Sequence, residues 1–116
     1  MEAAYTGGMI GENASGDVNS SYSIGAVKQG IEYAGGLIGV DDSQVGSLNN
    51  TYWDTDTSGI TNLSQGAGYP PNDPGITGLS TEQLQSGLPT GFDPSVWGEN
   101  QNINNGFPFL LAVPPK

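Results

Sequence analysis

Two stretches of this chain are near copies of one another. Tyr5 to Gly11 reads Y-T-G-G-M-I-G and Tyr33 to Gly39 reads Y-A-G-G-L-I-G, identical at five of seven positions at an offset of 28. Gly16 to Tyr22 (G-D-V-N-S-S-Y) then falls on Gly46 to Tyr52 (G-S-L-N-N-T-Y) at an offset of 30, so the second copy carries two extra residues between Gly39 and Gly46. Asp41, Asp42 and Ser43 read as the loop that holds them. An insertion confined to a turn, with both flanks in register, marks a recurring structural unit. Periods of ~20–50 residues are those of repeat architectures.

Each copy carries short apolar stretches separated by turn residues. Val18 and Tyr22, like Leu48 and Tyr52, are an even number apart and so share one face of a strand. Ile24, Ala26 and Val27 add a further stretch, and none of these follows the i, i+3, i+4 spacing of a helix. The pattern predicts three short strands per repeat of ~28 residues, with repeats stacked ~4.8 Å apart in parallel register. Gly7-Gly8 and Gly35-Gly36 fit corners where backbone approaches backbone. The expected fold class is therefore all-β: a parallel β-helix (β-solenoid) fragment of about two coils over residues 1–59, with an irregular C-terminal cap.

After Tyr52 the repeat ends. Residues 60–79 read as a Gly/Pro-rich loop in which Pro70, Pro71 and Pro74 exclude a central strand. In the cap, residues 80–116, Ser80 with Gln83 forms a capping-box pattern and Gly87 a stop, which predicts one short helix at about 81–86. Phe92, Trp97, Phe107, Phe109, Leu110 and Leu111 then supply apolar surface for the open end of a strand stack.

Charge narrows the partners. Twelve acidic residues face two basic ones, Lys28 and Lys116, for a net charge of −10, and there is no Arg. Phosphate-gripping surfaces need clustered Lys and Arg, so the sequence excludes nucleic acid as a partner. No apolar run approaches the ~18 residues of a membrane-spanning helix, and no membrane insertion is expected. The absence of Cys suits an exported bacterial chain. Met1 to Gly8 has neither the basic nor the apolar region of a signal peptide, so an export signal is expected upstream.

These residues carry a resemblance. The Y-x-G-G-[ML]-I-G stretches, with S-Y-S-I-G-A-V at Ser21 to Val27, resemble the GLUG-type repeat of bacterial surface proteins. T-Y-W-D-T-D-T-S-G, G-L-S-T-E-Q-L-Q, F-D-P-S-V-W-G and F-P-F-L-L resemble the C-terminal end of the repeat region in filamentous-haemagglutinin-like exoproteins. The resemblance implies a right-handed β-helix, export to the cell surface and an adhesin role. It also implies neighbouring solenoid coils of a longer parent chain as partners, with a host-surface glycan or protein as the target. It carries over no catalytic residue.

Chemistry is sparse. Without His or Cys there is no Ser-His triad, thiolate nucleophile or His metal site. Lys28 is the one internal Lys that a lyase could use as a base. Carboxylate pairs of the kind glycosidases use are offered by Asp54 with Asp56 and by Asp41 with Asp42, although such pairs are common on an acidic surface. Asp54, Asp56 and Ser58, followed by Gly59, match the opening of an EF-hand loop, with Asn62 at position nine but Gln65 where the bidentate Glu belongs. Calcium is thus the one cofactor candidate, against a reading of the same residues as Asx turns. Tyr52, Trp53 and Trp97 could stack on sugar rings, and strand alternation places one of Tyr52 and Trp53 outward. The expectation is a non-catalytic structural segment, with carbohydrate or calcium binding as the alternative.

Overall fold

The computed structural model describes residues 5–27, 33–44 and 46–112. Lys28 and Lys116 lie outside the described residues. Among the described residues ten strands fall into four small sheets. The first repeat supplies β1 (Tyr5–Gly7), β2 (Ile10–Asn13) and β3 (Val18–Ser23); the second supplies β4 (Tyr33–Gly35), β5 (Ile38–Asp41) and β6 (Leu48–Asp54). Each strand pairs in parallel with its copy. Tyr5 stands against Tyr33 and Ile10 against Ile38, while Val18 meets Leu48 and Tyr22 meets Tyr52. The change of offset from 28 to 30 falls in the turn between β5 and β6.

The third row is incomplete. β7 (Ala67–Tyr69) pairs with β5 and β8 (Ile76–Leu79) with β6, both in parallel, but among the described residues no third strand joins β1 and β4. The span read as a Gly/Pro-rich loop therefore holds two strands, with Pro70, Pro71 and Pro74 between them. The short helix α1 (Thr81–Leu84) follows, with the Ser80–Gln83 capping box formed and Gln85 as its C-cap. A two-residue antiparallel pair, β9 (Trp97–Gly98) with β10 (Phe109–Leu110), ends the described chain.

The expectation of a parallel β-helix is not met. The four sheets hold two or three strands each, and none is closed or continues as a solenoid. The physical reason lies in the Y-x-G-G-x-I-G segment. Instead of turning a corner around an interior, it folds back so that the β1–β4 pair lies directly on the β2–β5–β7 sheet. A Cβ on Gly39 would stand 2.7 Å from Thr6 N, and one on Gly68 2.7 Å from Ala34 N. Where these glycines stand, no side chain fits between the two layers. The main core lies on the other side of β5, toward β6, and includes Leu37, Ile38, Leu48, Trp53, Ile60 and Ala67. Trp53 is fully buried, and its Nε1 donates to the Ile60 carbonyl at 3.0 Å, which satisfies the one polar atom the ring carries.

The two repeats are not equally protected. Leu37 is 0% exposed, whereas its counterpart Met9 is 41% exposed, and Ile10 and Val18 are only partly buried. β1, β2 and β3 are edge strands, all on the first-repeat side.

Candidate functional site

The aromatic residues of the C-terminal segment have a clear destination. Tyr22 and Tyr52 share the outer face of the β3–β6–β8 sheet, and the segment after α1 packs over it. Phe92 stands 5.7 Å from Tyr52 and 4.4 Å from Trp97, ring centre to ring centre, and Tyr22 stacks on Phe107 at 6.5 Å. The Tyr22 hydroxyl donates to the Pro108 carbonyl and the Tyr52 hydroxyl to Thr90, at 2.5 and 2.6 Å. Burial raises the pKa of both phenols. Tyr52 and Trp53 do point to opposite faces of β6, but both are buried, because one face meets the core and the other this second layer. Tyr52 and Trp53 therefore form no exposed platform, and Trp97, half-buried, packs into the same layer.

The calcium candidates sit in a turn that their own chain fills. Asp54, fully buried at the end of β6, accepts through Oδ1 from the N–H groups of Asp56 and Thr57 at 2.8 and 3.0 Å. Its Oδ2 accepts from Thr81 Oγ1 at 2.6 Å, and Asp56 Oδ2 accepts from the Thr81 N–H at 3.0 Å. Ser58 Oγ accepts from the Ile60 N–H. These carboxylates cap a turn and dock the start of α1 onto it. Asn62 and Gln65 are engaged elsewhere: Asn62 Oδ1 accepts from Ser64, and Gln65 Nε2 donates to the Ala34 carbonyl at 2.7 Å. Among the described residues no three His, Cys, Asp or Glu side chains converge, and no cavity opens.

One acidic pair was not visible in the sequence. Asp41, at the end of β5, is buried and accepts from Ser43 N and Oγ and from Asn13 Nδ2, at 3.1, 2.5 and 3.3 Å. Asp73, from the loop between β7 and β8, hydrogen-bonds to it. Burial, together with the bond to Asp41 and the charge of Asp41, pushes the Asp73 carboxyl up to about 8. Burial works against ionisation of Asp41 too, but the hydrogen bonds from Asp73, Ser43 and Asn13 outweigh it and hold its pKa below the ordinary value. Oδ2 of Asp73 is shut off from water without a donor, and a proton on Asp73 would remove the repulsion between the two carboxyls.

A consequence is a pH dependence of opposite sign to that of an ordinary salt-bridged carboxylate. Between 3.8, the ordinary value, and about 8, the folded state holds a proton on Asp73 that the unfolded chain has released. Stability from this group is fully present below 3.8 and is lost as pH rises through about 8. Asp41 contributes the reverse on the acid side, losing its stabilisation as pH falls below 3.8. Urea midpoints taken at about pH 5 and about pH 9 should therefore fall with pH, more steeply than for Asp73→Asn, whose amide donates to Asp41 without titrating. Equal slopes would show that the two carboxyls do not share a proton.

Fold and site together define an all-β protein built on a strand repeat. No family model and no solved structure matches the chain. It is similar to a chain named as a Gly-rich membrane protein from Evansella cellulosilytica, 40% identical over 63 residues, covering 52% of this chain and 7% of that one. The chain thus spans a small part of that relative's length. No helix among the described residues is long and apolar enough to cross a membrane.

Proposed function

We propose that the chain is a non-catalytic structural segment of a bacterial surface adhesin, in which it closes one end of a strand-repeat array. The supporting observation is the asymmetry of the parallel sheets. On the second-repeat side, Gln65 and Gly66 occupy β4 and the turn after it: Gln65 Nε2 bonds the Ala34 carbonyl, and Gly36 N and Leu37 N donate to Gln65 and Gly66. On the first-repeat side no strand among the described residues pairs with the outer edges of β1, β2 and β3, and there Met9 is exposed and Ile10 and Val18 are only partly buried. An open edge is a template for further strands. The partner that fits is another Y-x-G-G-x-I-G repeat of a longer parent chain, in keeping with the small share of the relative that this chain spans. The resemblance to GLUG-repeat exoproteins supports a secreted or cell-surface location and a host glycan or protein as the parent's target.

The reading is tested by joining one more copy of residues 5–32 ahead of Tyr5 and following amide hydrogen exchange. Expected are slowed exchange along β1, β2 and β3 and a melting temperature higher by several degrees. Unchanged exchange at those strands would overturn it.

A further inference from the structure

Three tyrosines stand apart from the aromatic layer described above. Tyr5 opens β1 and Tyr33 opens β4, in register, with ring centres 5.6 Å apart and planes tilted by 44°. Tyr69, the last residue of β7, continues the run at 5.8 Å from Tyr33 with a tilt of 50°. Tyr69 is 51% exposed, and Tyr5 and Tyr33 are half-buried. Tyr22 and Tyr52 are buried or half-buried with hydroxyls committed to backbone carbonyls. Among the described residues, the hydroxyls of Tyr5, Tyr33 and Tyr69 bond to no protein acceptor. The run therefore offers an apolar body and unspent polar tips together, which a purely structural stack does not require.

We infer that the Tyr5–Tyr33–Tyr69 run is a binding platform for a neutral, extended β-linked polysaccharide. Ring faces meet the C–H faces of pyranose units, and the free phenols exchange hydrogen bonds with sugar hydroxyls. The centre-to-centre steps are close to the length of one sugar unit in a β-1,4-linked chain, so the rings can address successive sugars. An α-linked chain coils and does not present its units along one line. With a net charge of −10 and two Lys in the whole chain, the surface repels anionic polymers. Glu12, exposed on β2 and in the same cross-strand row as Val40 and Tyr69, adds carboxylate acceptors for sugar hydroxyls. The lack of a cavity among the described residues fits a ligand that lies along a surface rather than one enclosed by it. This inference does not depend on strand addition at the first-repeat edge.

The test is titration of the full chain with a β-1,4-linked glucose hexamer, followed by NMR of the tyrosine rings. The α-1,4-linked hexamer and polygalacturonate serve as comparisons. Expected are saturable shifts at Tyr5, Tyr33 and Tyr69 but not at Tyr22 or Tyr52. Affinity should fall about tenfold or more in Tyr69→Ala and be largely retained in Tyr69→Trp, with melting temperatures unchanged. If Tyr69→Ala lowers the melting temperature, Tyr69→Trp and the ring shifts of the unaltered chain still decide the matter. No shift at ~10 mM hexamer, equal binding of the α-linked hexamer, or a Tyr69-dependent dimer in light scattering without sugar binding would each overturn the inference.

Discussion

Trp53→Ala should lower the unfolding free energy by about 3–5 kcal/mol, the range for deleting a fully buried large aromatic. The indole is 0% exposed and three glycines shape its walls. A Cβ on Gly66 or Gly78 would stand 2.9 Å from ring atoms, and one on Gly36 would overlap the ring. Neighbours without side chains cannot move in to fill the space, so the cavity remains and the cost sits toward the top of the range. The Ile60 carbonyl would also lose its donor, which adds about 1–3 kcal/mol for a buried polar group left unpaired. Against a typical total of 5–15 kcal/mol, such a chain is close to unfolded. Urea denaturation followed by circular dichroism measures the change, and a loss under about 1 kcal/mol would show that the indole is not the centre of the core. Trp97→Ala should cost less, because Trp97 is only half-buried.

Gly35→Ala should be among the most damaging single-methyl changes at the described residues. The added Cβ would overlap the Ile38 carbonyl oxygen and stand 2.5 Å from Gly68 N and 2.8 Å from the Ala67 carbonyl carbon. All three are backbone atoms, so no rotamer change relieves the clash. The layers must part instead. Overpacking a tight site costs about 1–3 kcal/mol and occasionally more, and here the upper end or beyond is expected. Gly87→Ala is the control. Nothing lies within 4 Å of its Cβ and its φ is not in the left-handed region, so stability should stay level or rise by about 0.4–1 kcal/mol. Comparable melting temperatures for the two variants would mean that the β1–β4 pair does not lie on β5 and β7.

Both variants probe what the sequence did and did not disclose. The pairing of each strand with its copy was legible, because Tyr5 on Tyr33 and Tyr22 on Tyr52 follow from the two alignments and the two-residue insertion between them. The fold-back was not, because a glycine pair is equally compatible with a corner around an interior and with a close approach of two backbones. β7 and β8 were hidden because the third row shares almost nothing with the other two. Gly68, opposite the point where Gly39 stands in the second row, is the trace that remains, followed by Tyr69.

The candidate site was legible in kind rather than in place. Strand alternation separates Tyr52 from Trp53, but alternation does not say whether the second face meets water or another layer. The partners of Asp41 lie 28 residues before it at Asn13 and far along the chain at Asp73, in a loop whose path no local pattern specifies. Asp54 carried a ligand-like spacing because the oxygen geometry that caps a turn with N–H donors is the geometry that would receive a cation.

The closest contacts between the β1–β4 pair and the β2–β5–β7 sheet are made by peptide groups at glycine positions, with the Tyr33–Tyr69 ring contact beside them. A seam built chiefly of backbone has little private fit to maintain between particular neighbours. The firm requirement on an entering segment is glycine where Gly7, Gly35, Gly39 and Gly68 stand. Units joined this way are interchangeable parts: their order and outward-facing residues can vary without re-tuning the joint, so the surface they display can diversify over a frame that stays the same.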